Sequence, residues 1–162
     1  NALEEALLKG QKALSMAQQT KRGHVYVISN VGSFGENVFK IGMTRRLDPQ
    51  DRVDELGSAS VPFLFDVHAM IFSEDAPSME NMLHQRFNER RTNLVNRRKE
   101  FFNVNLNDIK DAVFEIAGND VDFVETATAQ HYYETQAMRK QQEADNSSVV
   151  KEIKQPRFAE AI

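Results

Sequence analysis

Cysteine is missing from all 162 positions, which excludes disulfides, thiolate zinc sites and cysteine nucleophiles. The absence suits a reducing compartment, and a cytoplasmic setting is expected. No apolar run approaches the roughly 18 residues that a membrane span needs. No membrane contact by this segment is therefore expected, although a parent protein could be tethered through another part. Several chemical signatures are also missing. There is no GxxxxGK(S/T) phosphate loop and no glycine-rich dinucleotide fingerprint after a strand. There is no GxSxG elbow and no HExxH helix. P-loop nucleotide chemistry, serine-elbow hydrolysis and zinc-helix proteolysis drop out. The first residue is Asn1 rather than Met, which reads as an excised piece or a processed chain.

The net charge of -4 argues at first against a polyanionic partner. The charge is unevenly spread, however. Residues 21–110 hold 13 Lys+Arg against 12 Asp+Glu, a balance of +1, so the acidity lies in the flanks. Arg86, Arg90, Arg91, Arg97, Arg98 and Lys99 crowd into one short stretch. Arg45, Arg46, Arg90, Arg91, Arg97, Arg98 and Lys99 are candidate contacts to a DNA phosphate backbone, with which this charge is compatible. A solvated helix face would account for the same charges.

Along the chain, residues 2–19 read as a helix, with Leu3, Leu7, Leu14 and Ala17 at helical spacing. Either it packs on the domain or it joins a missing N-terminal part. HVYVIS (24–29) and VFKIGMT (38–44) read as two strands of a hairpin around the loop NVGSFGEN. Asp48 followed by Pro49 starts a short helix that stops at Gly57. Residues 63–73 read as a third strand. Ser78 is expected to cap a helix over 78–91, followed by the basic loop RTNLVNRRK and a short extended segment, EFFNVN. Asn107 or Asp108 is expected to open a helix ended by Gly118. A polar helix over 125–145 and a flexible tail complete the chain. The expected class is α+β: a small three-stranded antiparallel sheet flanked by helices, with N- and C-terminal helical extensions. The expected division is 1–20 as a helix or linker from a larger parent, 21–118 as the domain, and 119–162 as extension and tail.

Five residues could carry chemistry. Tyr26 points opposite to Val25 and Val27 by the period of a strand; such a tyrosine packs or acts. Lys40 lies in the facing strand, where lysine is usually solvated. Gly42 nearby marks a close approach by a substrate or another backbone. Arg52 falls about 40° from Leu56 around its helix, at the rim of the buried stripe. There it either covers apolar surface or aims a planar guanidinium at a phosphate. Glu80 falls within or beside the apolar stripe of Met79, Leu83 and Phe87. A carboxylate placed inward requires a cation, and an arginine or a divalent metal would serve. His84, one turn on, shares that face as either a structural or a functional histidine.

Taken in order, VYVIS, a short loop, VFKIGMT, Arg52, MENMLHQRF and EFF resemble the GIY-YIG nuclease superfamily. The nearest branch is the phage-type, T5orf172/MUG113-like subgroup, whose second motif reads KIGMT and whose later motifs read E-x-x-x-H and E-aromatic-F. The likeness covers roughly Gly23 to Val113. It allows a place as the C-terminal domain of a larger DUF4041-type protein. It implies a metal-dependent DNA endonuclease (a phosphodiester hydrolase) with Tyr26, Lys40, Arg52, Glu80 and His84 as catalytic residues. Glu80 would be the ligand of a single Mg²⁺ or Mn²⁺ ion. Lys40 stands where the second motif usually has tyrosine, and is a reasonable cation to tune Tyr26. Leu56 stands where many members carry histidine, and Asn103 and Asn105 are nearest to a late asparagine. DNA is the implied partner, a homo-oligomer is left open, and a part in defence against foreign DNA follows from the family's context. A catalytically inactive nucleic-acid-binding module is the alternative. A structural or interaction domain is a third reading.

Overall fold

The computed structural model describes residues 1–154. Its centre is one antiparallel sheet of four strands, β1 (Gly23–Ser29), β2 (Val38–Thr44), β3 (Asp66–Ser73) and β4 (Phe101–Asn103), in the order β3-β1-β2-β4. The α+β class is as expected, but the sheet has one strand more than the three read from the sequence. The extra strand is the EFF segment, which pairs with Val38–Lys40 of β2. Three residues are too few to display a strand's alternation. The sequence already gives the segment as short and extended; the free edge of β2 is what makes it a member of the sheet.

The sheet's two faces follow from the period of two. Val25, Val27, Phe39, Ile41, Ala69, Ile71 and Phe102 face one way, against Leu83, Phe87, Ile109, Ala112 and Val113. Leu83 comes from helix α4 (Ala76–Arg86), and Ile109, Ala112 and Val113 come from α5 (Leu106–Ala117). Tyr26 and Ile28 face the other way, against Val53 of α3 (Pro49–Ser58), with Leu56, Phe65, Val67 and Met70 around them. Tyr26 is thus on the opposite side from its neighbouring valines, as its strand position requires. Burial of an apolar side chain such as Ile28, Ile41 or Phe102 contributes about 1.5–3 kcal/mol.

Helix starts differ from the sequence reading by a few residues. Asp75, not Ser78, caps α4, its carboxylate accepting the Ser78 N–H. Asn105, not Asn107 or Asp108, caps α5 and accepts the Asn107 N–H. In each case several cap-competent residues stand within three positions. The one chosen is the one whose backbone leaves the preceding strand in an extended or irregular conformation. Asp48 and Pro49 open α3 as expected. The hairpin loop contains a helical turn, α2 (Val31–Phe34), capped by Asn30. The third strand begins at Asp66 rather than Phe63. The Phe63 carbonyl is taken by Asn30 Nδ2 at 2.6 Å instead of by a strand partner.

Helix α1 (Ala2–Lys21) leaves Leu3, Leu7, Leu8, Leu14 and Met16 exposed, so this stripe is not packed on the sheet. The Ala17 side chain lies outside the described residues. After α5 the chain returns along β3. Val124 donates its N–H to the His68 carbonyl at 2.7 Å, and Ala129 donates to Asp66. Residues 119–129 therefore belong with the sheet, within a first compact unit that runs from Asn1 to Ala129. A second unit begins with helix α6 (Gln130–Lys154), which continues past Asp145, where a flexible tail was expected. The last part of that expected tail, 155–162, lies outside the described residues. Among the described residues, no helix is long and apolar enough to cross a membrane.

Candidate active site

The site is built around the pairing of β1 and β2. Tyr26 and Gly42 are direct cross-strand partners. A Cβ on Gly42 would meet the Tyr26 ring and hydroxyl at 2.5–2.8 Å, so the phenol lies flat across a position that only glycine leaves open. The close approach at Gly42 is therefore made by the Tyr26 side chain, not by the substrate or backbone expected there. Tyr26 is 2% exposed. Its pKa is pushed up to about 12 by burial and by the charges of Glu100 and Glu80, against the nearby Arg52 guanidinium, which also donates a hydrogen bond to the hydroxyl. Tyr26 therefore holds its proton at neutral pH. The cation beside the phenol is Arg52 rather than the expected Lys40, because α3 packs over this face and carries Arg52 to it. Glu55, one turn along α3, pairs with both Arg52 (3.5 Å) and Arg46 (2.5 Å) and steadies the guanidinium.

A second group of side chains gathers where β4 stops. In an antiparallel strand the N–H and C=O of one residue point to the same side. The Ile41 N–H reaches the Glu100 carbonyl at 3.2 Å, but the ladder of β4 goes no further, so the Ile41 carbonyl would be left without a strand partner. His84 of α4 takes that place, with Nε2 2.6 Å from the Ile41 oxygen. A carbonyl only accepts, so His84 carries its proton on Nε2 and its lone pair on Nδ1. Burial holds His84 below its ordinary pKa, which keeps it neutral. Glu80, one turn earlier on the same face of α4, and Glu100, at the mouth of β4, complete the group. One ligand atom from each of Glu80, His84 and Glu100 lies within 4.8 Å of the others.

Glu80 has its pKa raised to about 7, first by burial and then by the Glu100 charge, with Lys40 opposing. No ion pair holds Glu80 among the described residues, so the arginine partner considered for it is absent. Lys40 instead pairs with Glu100 at 3.4 Å, and its ammonium also lies 5.3 Å from the centre of the Phe101 ring. Two half-buried carboxylates and a buried neutral imidazole form a donor set that a divalent cation satisfies.

Tyr26, Lys40, Arg52, Glu80 and His84 thus belong to one connected cluster. Glu100, absent from the sequence-based candidates, links its halves. The signal was in the chain, since Glu100 opens the E-aromatic-F motif, but an acidic residue after a basic loop reads as surface. The expected phosphate contacts divide. Arg90, Arg97, Arg98 and Lys99 are exposed. Arg91 is not available as expected. It is 9% exposed and donates to Asn88 Oδ1 at 2.9 Å and to the Arg97 carbonyl at 3.2 Å, with its guanidinium 5.0 Å from the Phe102 ring centre. It shapes the basic loop from within. Arg45 donates to the Thr20 carbonyl at the end of α1, and Arg46 is held by Glu55. Leu56 packs in the cluster around Tyr26, and Asn105 is spent as a helix cap.

No curated protein and no solved structure matches the chain significantly. The sequence model of one family, described as the T5orf172 domain, matches residues 23–117. That span begins at the first residue of β1 and ends at the last residue of α5, and it contains every member of the cluster. The chain belongs to the T5orf172 domain family, which is related to the GIY-YIG-like nucleases.

Proposed function

We propose that this domain is a divalent-metal-dependent DNA endonuclease that hydrolyses phosphodiester bonds. The observation that carries the reading is the gathering of a phenol, a guanidinium, an ammonium, two carboxylates and a neutral imidazole around one hairpin. Glu80 and its neighbours would hold a single Mg²⁺ or Mn²⁺. When bound, the ion polarises the scissile phosphate, stabilises the leaving oxygen and offsets the carboxylate charge that holds the Tyr26 proton. Arg52 stabilises the charge that builds on the non-bridging oxygens. Tyr26, held by Arg52 and laid across Gly42, orients the attacking water. Lys40 places a positive charge on the same side of the hairpin. Arg90, Arg97, Arg98 and Lys99 attract the DNA backbone and set its position. A cytoplasmic setting and a role against foreign DNA belong to this reading.

The test is plasmid cleavage by the intact chain with Mg²⁺ or Mn²⁺. Glu80→Gln should reduce the rate by about 10²–10⁴-fold while leaving the fold intact. Equal nicking by both proteins would mean that the activity comes from elsewhere. Leu56, packed where many relatives of the superfamily carry histidine, favours a second reading in which the fold binds nucleic acid without cutting it. Salt-sensitive DNA binding with no cleavage under any divalent ion would establish that one.

A further inference from the structure

We propose that Glu100 is a shared ligand: it pairs with Lys40 in the absence of metal and joins Glu80 and His84 around the cation, so that loading the ion frees the Lys40 amine. The proposal rests on the reading of this cluster as a metal centre.

Three observations carry it. First, Glu100 reaches both partners from one fixed place. Its backbone carbonyl is held by the Ile41 N–H, its carboxylate lies 3.4 Å from Lys40 Nζ, and it lies within 4.8 Å of the ligand atoms of Glu80 and His84. Second, His84 is a prepared donor. It is 7% exposed, and its Nε2–H is committed to the Ile41 carbonyl, which fixes the lone pair on Nδ1. No hydrogen bond occupies Nδ1 among the described residues. A histidine that donates one ring N–H to a backbone carbonyl is oriented as metal-binding imidazoles are. Third, the Lys40–Glu100 contact is a single long one, with side chains 12% and 25% exposed, and Lys40 has the Phe101 ring beneath it as a second resting place. The ring contact does not depend on Glu100, so Lys40 keeps it when the pair parts.

The donor set also points to a preferred ion. Mg²⁺ keeps several waters and takes one or two carboxylates, whereas an imidazole nitrogen with two carboxylates suits Mn²⁺ and its later neighbours. Mn²⁺ should therefore bind more tightly than Mg²⁺.

The experiment is calorimetric binding of Mn²⁺ to the intact chain without DNA, with circular dichroism checking each variant's fold. Glu100→Gln, nearly the same shape, should weaken binding by about 10-fold or more. Lys40→Met removes the competing ammonium and should tighten binding by roughly 2- to 5-fold. That gain should shrink in the Glu100→Gln background, because the ion pair is already gone there and only the direct action of the ammonium on the ion and Glu80 remains. The proposal is overturned if Glu100→Gln binds Mn²⁺ as tightly as the wild type. It is equally overturned if the Lys40→Met gain persists undiminished beside Glu100→Gln, which would mean simple charge repulsion. Binding as described with no DNA cleavage would remove the nuclease reading and leave this inference standing. Cleavage with an unchanged Glu100→Gln affinity would do the reverse.

Discussion

Tyr26 lies across Gly42 so closely that a Cβ on the glycine would sit 2.5 Å from the phenolic oxygen. The two are register partners on neighbouring strands, so neither can move without shifting the hairpin. Gly42→Ala should therefore displace the phenol or spread the strands, at a cost of about 1–3 kcal/mol. Tyr26→Phe keeps the ring and removes only the hydroxyl, so it should retain the fold and lose cleavage. Thermal unfolding beside a cleavage assay separates the two effects. A Gly42→Ala protein with unchanged melting temperature and rate would show that the phenol's position is not fixed by this contact.

Glu80 gives the metal-free protein a pH dependence of definite sign. Its carboxyl has a folded pKa of about 7 against an ordinary 4.5. A raised carboxyl pKa means that the folded state holds the proton more tightly than the unfolded state. The stabilisation is full below the unfolded pKa and is lost as pH rises from about 4.5 through about 7. Glu80→Gln should therefore match the wild type near pH 4.5 and exceed it at pH 8, by an amount on the order of 1–3 kcal/mol. Chemical denaturation in chelator at both values measures the gap, and a gap independent of pH would contradict this environment for Glu80. A divalent cation competes with that same proton, so metal should stabilise the wild type more at pH 8 than at pH 6.

His68 is a buried structural histidine away from the cluster. It bonds the Val124 carbonyl through Nδ1 at 2.6 Å and Ser29 Oγ through Nε2 at 2.7 Å. The first bond makes Nδ1 the donor, so Nε2 accepts from the serine. Burial holds its pKa below the ordinary 6.5. Its contribution to stability is present above that value and is lost as pH falls below it. His68→Ala should cost about 2–4 kcal/mol, because it leaves a cavity and two unpaired polar groups. Cleavage per folded molecule should be unchanged. A large loss of rate with stability intact would place His68 in the chemistry instead.

The basic loop offers a paired test. Arg98→Ala and Lys99→Ala remove exposed charge, so each should weaken DNA binding and reduce the slope of log K against log salt by about 1. Arg91→Ala removes the inner support of the loop, so its first effect should be on the melting temperature, with little change in that slope. Binding isotherms at several salt concentrations decide between the two roles. A salt slope that moves with Arg91 but not with Arg98 would reverse the assignment.

The hairpin was legible from its residues alone. HVYVIS and VFKIGMT are β-branched and aromatic at strand spacing, and the same alternation put Tyr26 opposite Val25 and Val27. Glu80 was legible as an inward carboxylate, because helical spacing sets it beside Leu83 and Phe87. Arg52 was placed only at a rim, open to more than one use. The pairing of β4 was not legible, since three residues carry no period. Nor was the burial of Arg91, because an arginine among arginines reads as surface until Phe102 is found beneath it.

By itself the sequence determined which residues point together along one strand or one helix, because that depends only on local periods of two and 3.6. It therefore specified the hairpin, the helices to within a few residues of their caps, and the inward-facing acid. The tertiary structure alone decided which separate segments meet: Arg52 rather than Lys40 beside the phenol, and Glu100 beside Glu80 and His84. Those meetings follow from where β4 ends on β2 and how α3 and α4 cover the sheet. Such packing is set by the fit of whole surfaces, and no local repeat in the chain records it.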